Sequence, residues 1–393
     1  MATATATAKV SVETKELARC VNLASKCINS KPIVQILGDI LLTYEPEKGF
    51  VMSASNTELW IDIPVKMNLM SGEFKNVCIN YAMLKNAVAT LPQESTLELS
   101  FMDDQRLKVD YRKGKFSVLT EDASDYPVST DFLEAENAPT CKFRVHDGWL
   151  VENLRNAKGC AAEDKVRPNL ASVCIDVFKD SLTVVSTDAH TLFYNNAKLQ
   201  EEDLICADFE TNAQLMLSQA AIDAVCSTFG YEEVIVTSDC ARASFMSETT
   251  GIKLMARLTE GKYVPYERLI TYENDKILKV ELNDILGAIK RCNVFANQVN
   301  HLAALTNEDN DVRISVNNID LGMDSDEVVK KLDGSVLDGE FKIGFNIERF
   351  NQMLGILSTE NIVMSMSGPT KPIILGNDDE ESKLILLIMP MSI

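Results

Sequence analysis

Short apolar-rich runs, separated by polar turns, recur along this chain in a repeating order. The segments LLTYEPEKGFVMSASNTEL, SVCIDVFKDSLTVVSTDAHTL and HLAALTNEDNDVRISVNNIDL each read as a strand, a polar turn and a second strand. Each closes on a Ser followed six positions later by a Leu: Ser53 and Leu59, Ser186 and Leu192, Ser315 and Leu321. Downstream of each comes NVCINYAMLKNAVATLPQESTLELSF, NAQLMLSQAAIDAVCSTFGYEEVIVTS or FKIGFNIERFNQMLGILSTENIVMSMS. These predict a strand, a helix of about three turns, an acidic turn and another strand. Met83, Leu84, Ala87 and Leu91 fall near helical spacing in the first, as do Phe350, Met353, Leu354 and Leu357 in the third.

A further helix is expected ahead of each copy, beginning near Glu13, Gly148 and Asn283. Three elements in one order, three times over, specify an internal repeat. The fold class is therefore α+β, with three similar domains in tandem at 1–138, 139–272 and 273–393. Polar connectors at 134–140 (EAENAPT) and 271–275 (TYEND) supply the boundaries.

Composition agrees and narrows the function. Of 393 residues 46% are hydrophobic and 24% charged, the balance of a globular protein. No apolar run approaches the ~20 residues of a membrane span. The opening MATATATAKV lacks the basic end and apolar stretch of a signal peptide, so a cytoplasmic protein is expected. Ten Cys are scattered without a CxxC, which excludes a zinc ribbon and points to buried, reduced thiols. The formal charge of −20 opposes simple affinity for nucleic acid. A role on DNA requires basic residues gathered on one surface.

Catalytic signatures are missing. The three His (His146, His190 and His301) form no HExxH or His-Cys cluster, and there is no GxGxxG, GxxxxGK[ST] or GxSxG. Ser186, Thr187, Asp188 and His190 stand close together, but neighbours along a strand point to alternate sides and do not make a triad. Asp378 to Ser382 is a solvated acidic turn without calcium-loop spacing. No catalytic residue, metal or cofactor is expected. The positive signal lies on the leading helices. Leu17, Val21, Ala24 and Ile28 make an apolar stripe, and Lys15, Arg19, Asn22 and Lys26 a second, basic one. Arg155 and Lys158 share a face of the second leading helix, and Lys290 and Arg291 sit on the third. Recurrence in all three copies favours a surface that faces phosphates.

Five segments then resemble one family in the right order: KPIVQILGDILL (31–42), VSTDAHTLF (185–193), EGKYVPYERLI (260–270), FKIGFNIERFNQML, and the terminal LLIMPMSI. Together with the repeat, they make the chain similar, nearly end to end, to the bacterial DNA polymerase III beta subunit, the sliding clamp. The resemblance implies the DNA clamp fold: a homodimeric ring with helices lining the inside and sheets outside. Such a ring encircles double-stranded DNA without reading sequence and tethers the replicative DNA polymerase. A clamp loader and other clamp-motif proteins of replication and repair are further implied partners. A closed ring holds DNA topologically, so a chain of charge −20 needs only weak contacts from a basic lining.

The resemblance also implies sites. A pocket for short peptides with Leu- and Phe-type anchors would be walled by Leu170, Thr187, Ala189, His190, Thr191, Leu192, Val264, Arg268, Leu269, Leu387, Met389, Pro390, Met391, Ser392 and Ile393. Ala189 stands where the family has Gly, Thr191 and Ser392 where Arg is common, and Val264 where Pro is usual. Lys15, Arg19, Lys26, Lys31, Arg155, Lys158, Lys290 and Arg291 would face DNA, Lys31 in the place of a basic contact residue. Phe116 and Val118 of one chain would meet Val294 and Phe295 of the other. The rivals are a monomeric clamp-fold scaffold or inhibitor, an enzyme using Asp188 and His190, and a clamp of two-domain subunits, which the three copies disfavour.

Overall fold

The structure, a computed structural model, describes residues 5–29, 31–32, 34–127, 139–163, 166–270 and 274–393. The connector at 134–140 and the start of that at 271–275 lie largely outside the described residues. Among the described residues the α-helices are α1 (Thr14–Ala24), α2 (Tyr81–Ala89), α3 (Trp149–Lys158), α4 (Gln219–Thr228), α5 (Glu267–Ile270), α6 (Leu282–Asn293) and α7 (Ile347–Leu354). α1, α3 and α6 begin within one residue of the three starts read from the sequence. Chain contacts group the residues into two compact units, Met1–Glu152 with Glu201–Ala213 and Ala220–Leu258, and Asn153–Gln200 with Gln214–Gln219 and Thr259–Ile393.

The first unit is built on a fourteen-stranded sheet. Its order is Leu204–Ala207, Cys141–Val145, Val234–Ser238, Arg242–Met246, Lys253–Arg257, Leu59–Val65, Gly49–Ser55, Asp39–Glu45, Val77–Asn80, Gly114–Asp122, Arg106–Tyr111, Thr96–Met102, Ala6–Glu13 and Met67–Gly72. Alternation sets its faces: Leu59, Ile61, Ile63 and Val65 are buried, with Trp60, Asp62 and Pro64 half-exposed between them. α1 buries Leu17, Cys20, Val21 and Ala24 at helical spacing, so the apolar stripe is core. Ile28 lies beyond the helix and is half-buried. In α2 Leu84 and Val88 face inward, whereas Met83 is 60% exposed, against the sequence reading. A start at Tyr81, capped by the Asn80 side chain on the Met83 amide (3.1 Å), rotates Met83 outward.

The second unit carries an eight-stranded and a four-stranded sheet. The larger runs Ala213–Leu217, Val173–Val177, Ser181–Thr187, Thr191–Lys198, Ile385–Ile388, Ile373–Asn377, Asn361–Met366, Lys276–Glu281. Val173–Val177 is buried on both faces, Asp176 included, whose carboxylate accepts from the Tyr266 hydroxyl. The smaller sheet runs Met323–Lys330, Asp311–Asn318, Leu302–Asn307, Lys342–Asn346. α6 buries Ile285, Ala288, Ile289 and Cys292, and α7 buries Ile347, Phe350, Met353 and Leu354. Asn346 caps α7 on the Arg349 amide (3.0 Å), as Asn80 caps α2. None of the ten Cys is in a disulfide; seven are buried, and Cys240 is exposed.

The third copy of the Ser-to-Leu pattern departs from the other two. Leu59 and Leu192 are buried where a strand begins, but Leu321 sits in the turn and is 63% exposed. The turn there is longer and closes through Gly322 at φ +62°, which leaves Leu321 outside the strand.

Candidate functional site

The turn between strands Ser181–Thr187 and Thr191–Lys198 is fixed by its own side chains. Thr187 Oγ1 accepts from the Ala189 amide (3.1 Å), and Asp188 Oδ1 accepts from the amides of His190 (2.8 Å) and Thr191 (2.7 Å). Ala189 then adopts φ +75°, a region where glycine is the unstrained choice. The same device turns the chain at Ser55-Asn56-Thr57 and at Ser238-Asp239-Cys240, with φ +76° at Thr57 and +66° at Cys240. What distinguishes the 187–191 turn is Arg349 of α7, whose Nη1 pairs with Asp188 Oδ2. Burial disfavours the charged form of Asp188, but the Thr191 and His190 amides and Arg349 outweigh it and hold the carboxyl below its usual range. The nearby Ser186 hydroxyl is buried and donates to the Ala157 carbonyl. No nucleophile and base are thus assembled from Ser186, Asp188 and His190.

Beside this turn opens a groove of about 1000 Å³ within the second unit. Its walls are the end of α3 with the following turn (Arg155 to Glu163), Arg167, the Asp188–Thr191 turn, and α7 through Ile356. Of the fifteen pocket residues expected from the sequence, His190 and Thr191 line it. Arg155 and Lys158, expected to face DNA, line the same groove.

Other expected pocket residues gather in a packed cluster of the same unit. Leu192 and Leu387 are 1% and 3% exposed, and join Cys174, Val185, Met216, Tyr263 and Tyr266, with Val264 packed alongside. The Tyr263 hydroxyl accepts from the Thr187 amide (3.0 Å), and that of Tyr266 donates to Asp176 (2.9 Å). Both tyrosines thus pack in the same buried cluster as Leu192 and Leu387. Leu170 is half-buried and Arg268 and Leu269 are exposed. The terminal strand Ile385–Ile388 pairs with Thr191–Tyr194, with Leu192 opposite Leu387. Beyond it the Met389 amide donates to His190 O (2.8 Å) and the Met391 amide to Gly344 O (2.8 Å). Met389 and Ile393 remain 38% and 61% exposed, Ser392 is exposed, and Pro390 is half-buried.

The basic residues differ in their partners. Arg19 is held by Glu16 through two bonds of 2.9 Å, Arg291 by Glu327 through two of 2.8 Å, and Lys15 by Glu94 at 3.5 Å. Lys26, Lys31 and Lys290 are exposed and have no ion-pair partner among the described residues. For chain pairing, Val294 is 72% and Phe295 38% exposed, Phe116 is half-buried, and Val118 is buried beside Leu119 at 67%. Residues 114–119 pair only with Arg106–Tyr111, which leaves one edge open among the described residues. Met323–Lys330 is an outer strand with a second open edge.

Sequence reasoning missed Arg349, Arg167, Tyr263 and Tyr266. The tyrosines lay inside the quoted EGKYVPYERLI, so aromatic spacing there was an available signal. Nothing local marks Arg349, whose partner lies 161 positions away. Among the described residues no cluster of three or more His, Cys, Asp or Glu suits a metal ion. No helix there is long and apolar enough to cross a membrane.

Repeated hairpins and helices on open antiparallel sheets are the architecture of the clamp class of proteins. Residues 8–130 match the N-terminal domain of the DNA polymerase III beta subunit, and residues 267–392 its C-terminal domain. The beta sliding clamp of Pseudomonas putida is 22% identical over 386 residues, 97% of this chain and 98% of that one. The sliding clamp of Pseudomonas aeruginosa, solved bound to griselimycin, superimposes with TM-score 0.87 at 19% identity, covering 98% of this chain and 100% of that one. That of Bacillus subtilis gives 0.85 at 19%, covering 98% and 99%. The chain belongs to the DNA polymerase III beta subunit family, the sliding clamps of bacterial DNA replication.

Proposed function

We propose that two copies of this chain close into a ring around duplex DNA and tether the replicative polymerase there, acting in the cytoplasm without catalysing a reaction. In this reading each chain contributes three similar domains, with boundaries near 138 and 272. The observation that carries the ring is the complementarity of the two open edges. The edge at 114–119 is flanked by Arg112, Lys113 and Lys115, and presents Phe116 and Leu119. The outer strand Met323–Lys330 carries Asp324, Asp326 and Glu327, beside exposed Val294 and Phe295. A basic edge on one copy can continue into an acidic edge on the other, and two such contacts close a ring by two-fold symmetry.

Weak DNA contacts fit the charge inventory. Lys26, Lys31 and Lys290 carry free charge, whereas Lys15, Arg19 and Arg291 are partly neutralised by carboxylates. Such a lining attracts phosphates without gripping them, which permits sliding. Partner peptides (of the polymerase, the clamp loader and repair proteins) would dock beside His190, Thr191 and the chain terminus. Light scattering tests the assembly: twice the 43.6 kDa chain mass is expected, and a single-chain mass at micromolar concentration supports the monomeric scaffold instead.

A further inference from the structure

We infer that the groove between α3 and α7 takes a carboxylate-bearing flank of its partner peptide, gripped by Arg155 and Arg167. This rests on the peptide-docking reading above and adds the chemistry of the ligand. On a molecule of net charge −20 the groove is unusual. Four cations line it, Arg155, Lys158, Arg167 and Arg349, against Glu163, Asp188 and Glu348. Two of the carboxylates are already engaged, Asp188 by Arg349 and Glu348 by His301 at 3.3 Å. Arg155 and Arg167 are exposed and have no ion pair among the described residues. Four cations against three carboxylates, with these two guanidinium forks unpaired, leave the groove short of negative charge.

The ligand class follows from the rest of the lining. Guanidinium forks match carboxylates and phosphates alike. A single nucleic-acid strand, however, is held by bases stacked on aromatic rings as well as by charge. Among the described residues no Phe, Tyr or Trp lines this groove. Ile356, half-buried just beyond α7, instead offers a short apolar contact next to the charges. An acidic peptide carrying apolar residues satisfies both, and it assigns Arg155 to partner recognition instead of DNA. The grip is also specific, because most of the surface around it repels carboxylates at long range.

The test uses the full chain and two fluorescent synthetic peptides with the same Leu and Phe anchors, one flanked by two Asp, the other by two Asn. Fluorescence anisotropy is read at low and high salt, with a twenty-nucleotide oligo-dT as a third probe. The acidic peptide should bind at least about tenfold tighter, the usual worth of a charged hydrogen bond, and the advantage should shrink with salt. Arg155→Gln with Arg167→Gln should erase the advantage while leaving the Asn peptide unchanged. Arg155→Lys with Arg167→Lys should retain part of it. Both side chains are exposed, so the variants should melt with the parent. Equal binding of the two peptides overturns the inference and leaves the docking reading intact. Failure of both peptides to bind overturns the docking reading itself. Oligo-dT binding that exceeds the acidic peptide's and is lost in the Gln variant makes the groove a nucleic-acid site and also overturns the inference.

Discussion

Arg349 of α7 and Asp188 of the 187–191 turn form an ion pair across 161 positions of sequence, and Asp188 also accepts the amides of His190 and Thr191. One carboxylate thus shapes the turn and ties it to the helix across the groove. The Asp188 side chain is 13% exposed and that of Arg349 37%, so the pair lies between the surface and buried extremes.

Removing one partner should expose that linkage. Asp188→Ala removes both the turn acceptor and the ion partner, and should lower stability by about 2 kcal/mol. Asp188→Asn keeps an acceptor for the amides and should cost less. Arg349→Met should speed amide exchange at His190 and Thr191 while the outer strands stay protected. Urea unfolding ranks the three, and equal loss from Asp188→Asn and Asp188→Ala would contradict the turn's role.

The chain terminus is seated on Gly344. A Cβ there would stand 2.6 Å from the Met391 carbonyl oxygen and 2.7 Å from Ile393 Cγ1. Gly344→Val should therefore displace residues 391–393 without unfolding the sheet, since Lys342–Asn346 still pairs with Leu302–Thr306. Carboxypeptidase should trim the variant faster than the parent. Unchanged trimming would show that the terminus finds another seat.

A pH dependence is expected at His146. Its ring is hydrogen-bonded to Asp203 and faces the Glu233 carboxylate, each at 2.9 Å, while Arg144 pairs with Glu233 at 2.9 Å and reaches Glu248 at 3.7 Å. The Asp203 bond and the two carboxylate charges raise the imidazole above its ordinary value, against burial and Arg144. The folded state holds the proton more tightly, so the contribution is whole below about pH 6.5 and fades as pH rises through the raised value. With the ring 45% exposed, the effect is modest. The melting-temperature difference between parent and His146→Gln should be largest near pH 6 and vanish near pH 9. A difference that grows with pH would contradict this.

Strands and helices were legible where one periodicity held. Leu17, Val21 and Ala24 declare the buried face of one helix, and Phe350, Met353 and Leu354 that of another. Met83 and Leu321 misled because a cap or a longer turn shifts a side chain by one position without altering composition. The fourteen-stranded sheet was not legible at all. Pairs such as Leu254 opposite Ile61 depend on chain closure over long distances. The groove failed for the same reason: its Arg residues are ordinary helix or loop positions until Asp188 and Arg349 meet.

The proposed chain pairing rests on Val294 and Phe295, both exposed in the single chain. Val294→Asp with Phe295→Asp should shift the mass to one chain, because both side chains are already exposed. Melting of the separated chain should stay close to the parent's, apart from the lost association. A dimer that persists at micromolar concentration would place the interface elsewhere.

The central claim, that this acidic chain holds DNA by enclosure, is tested most directly by retention on circular and linear DNA. Protein loaded onto nicked circles by its clamp loader is passed through a gel-filtration column in moderate salt, before and after a single cut by a restriction enzyme. Enclosure predicts that the protein stays with the circles and is lost once they are opened. Equal retention on both forms, or release from both at the same salt, would contradict it.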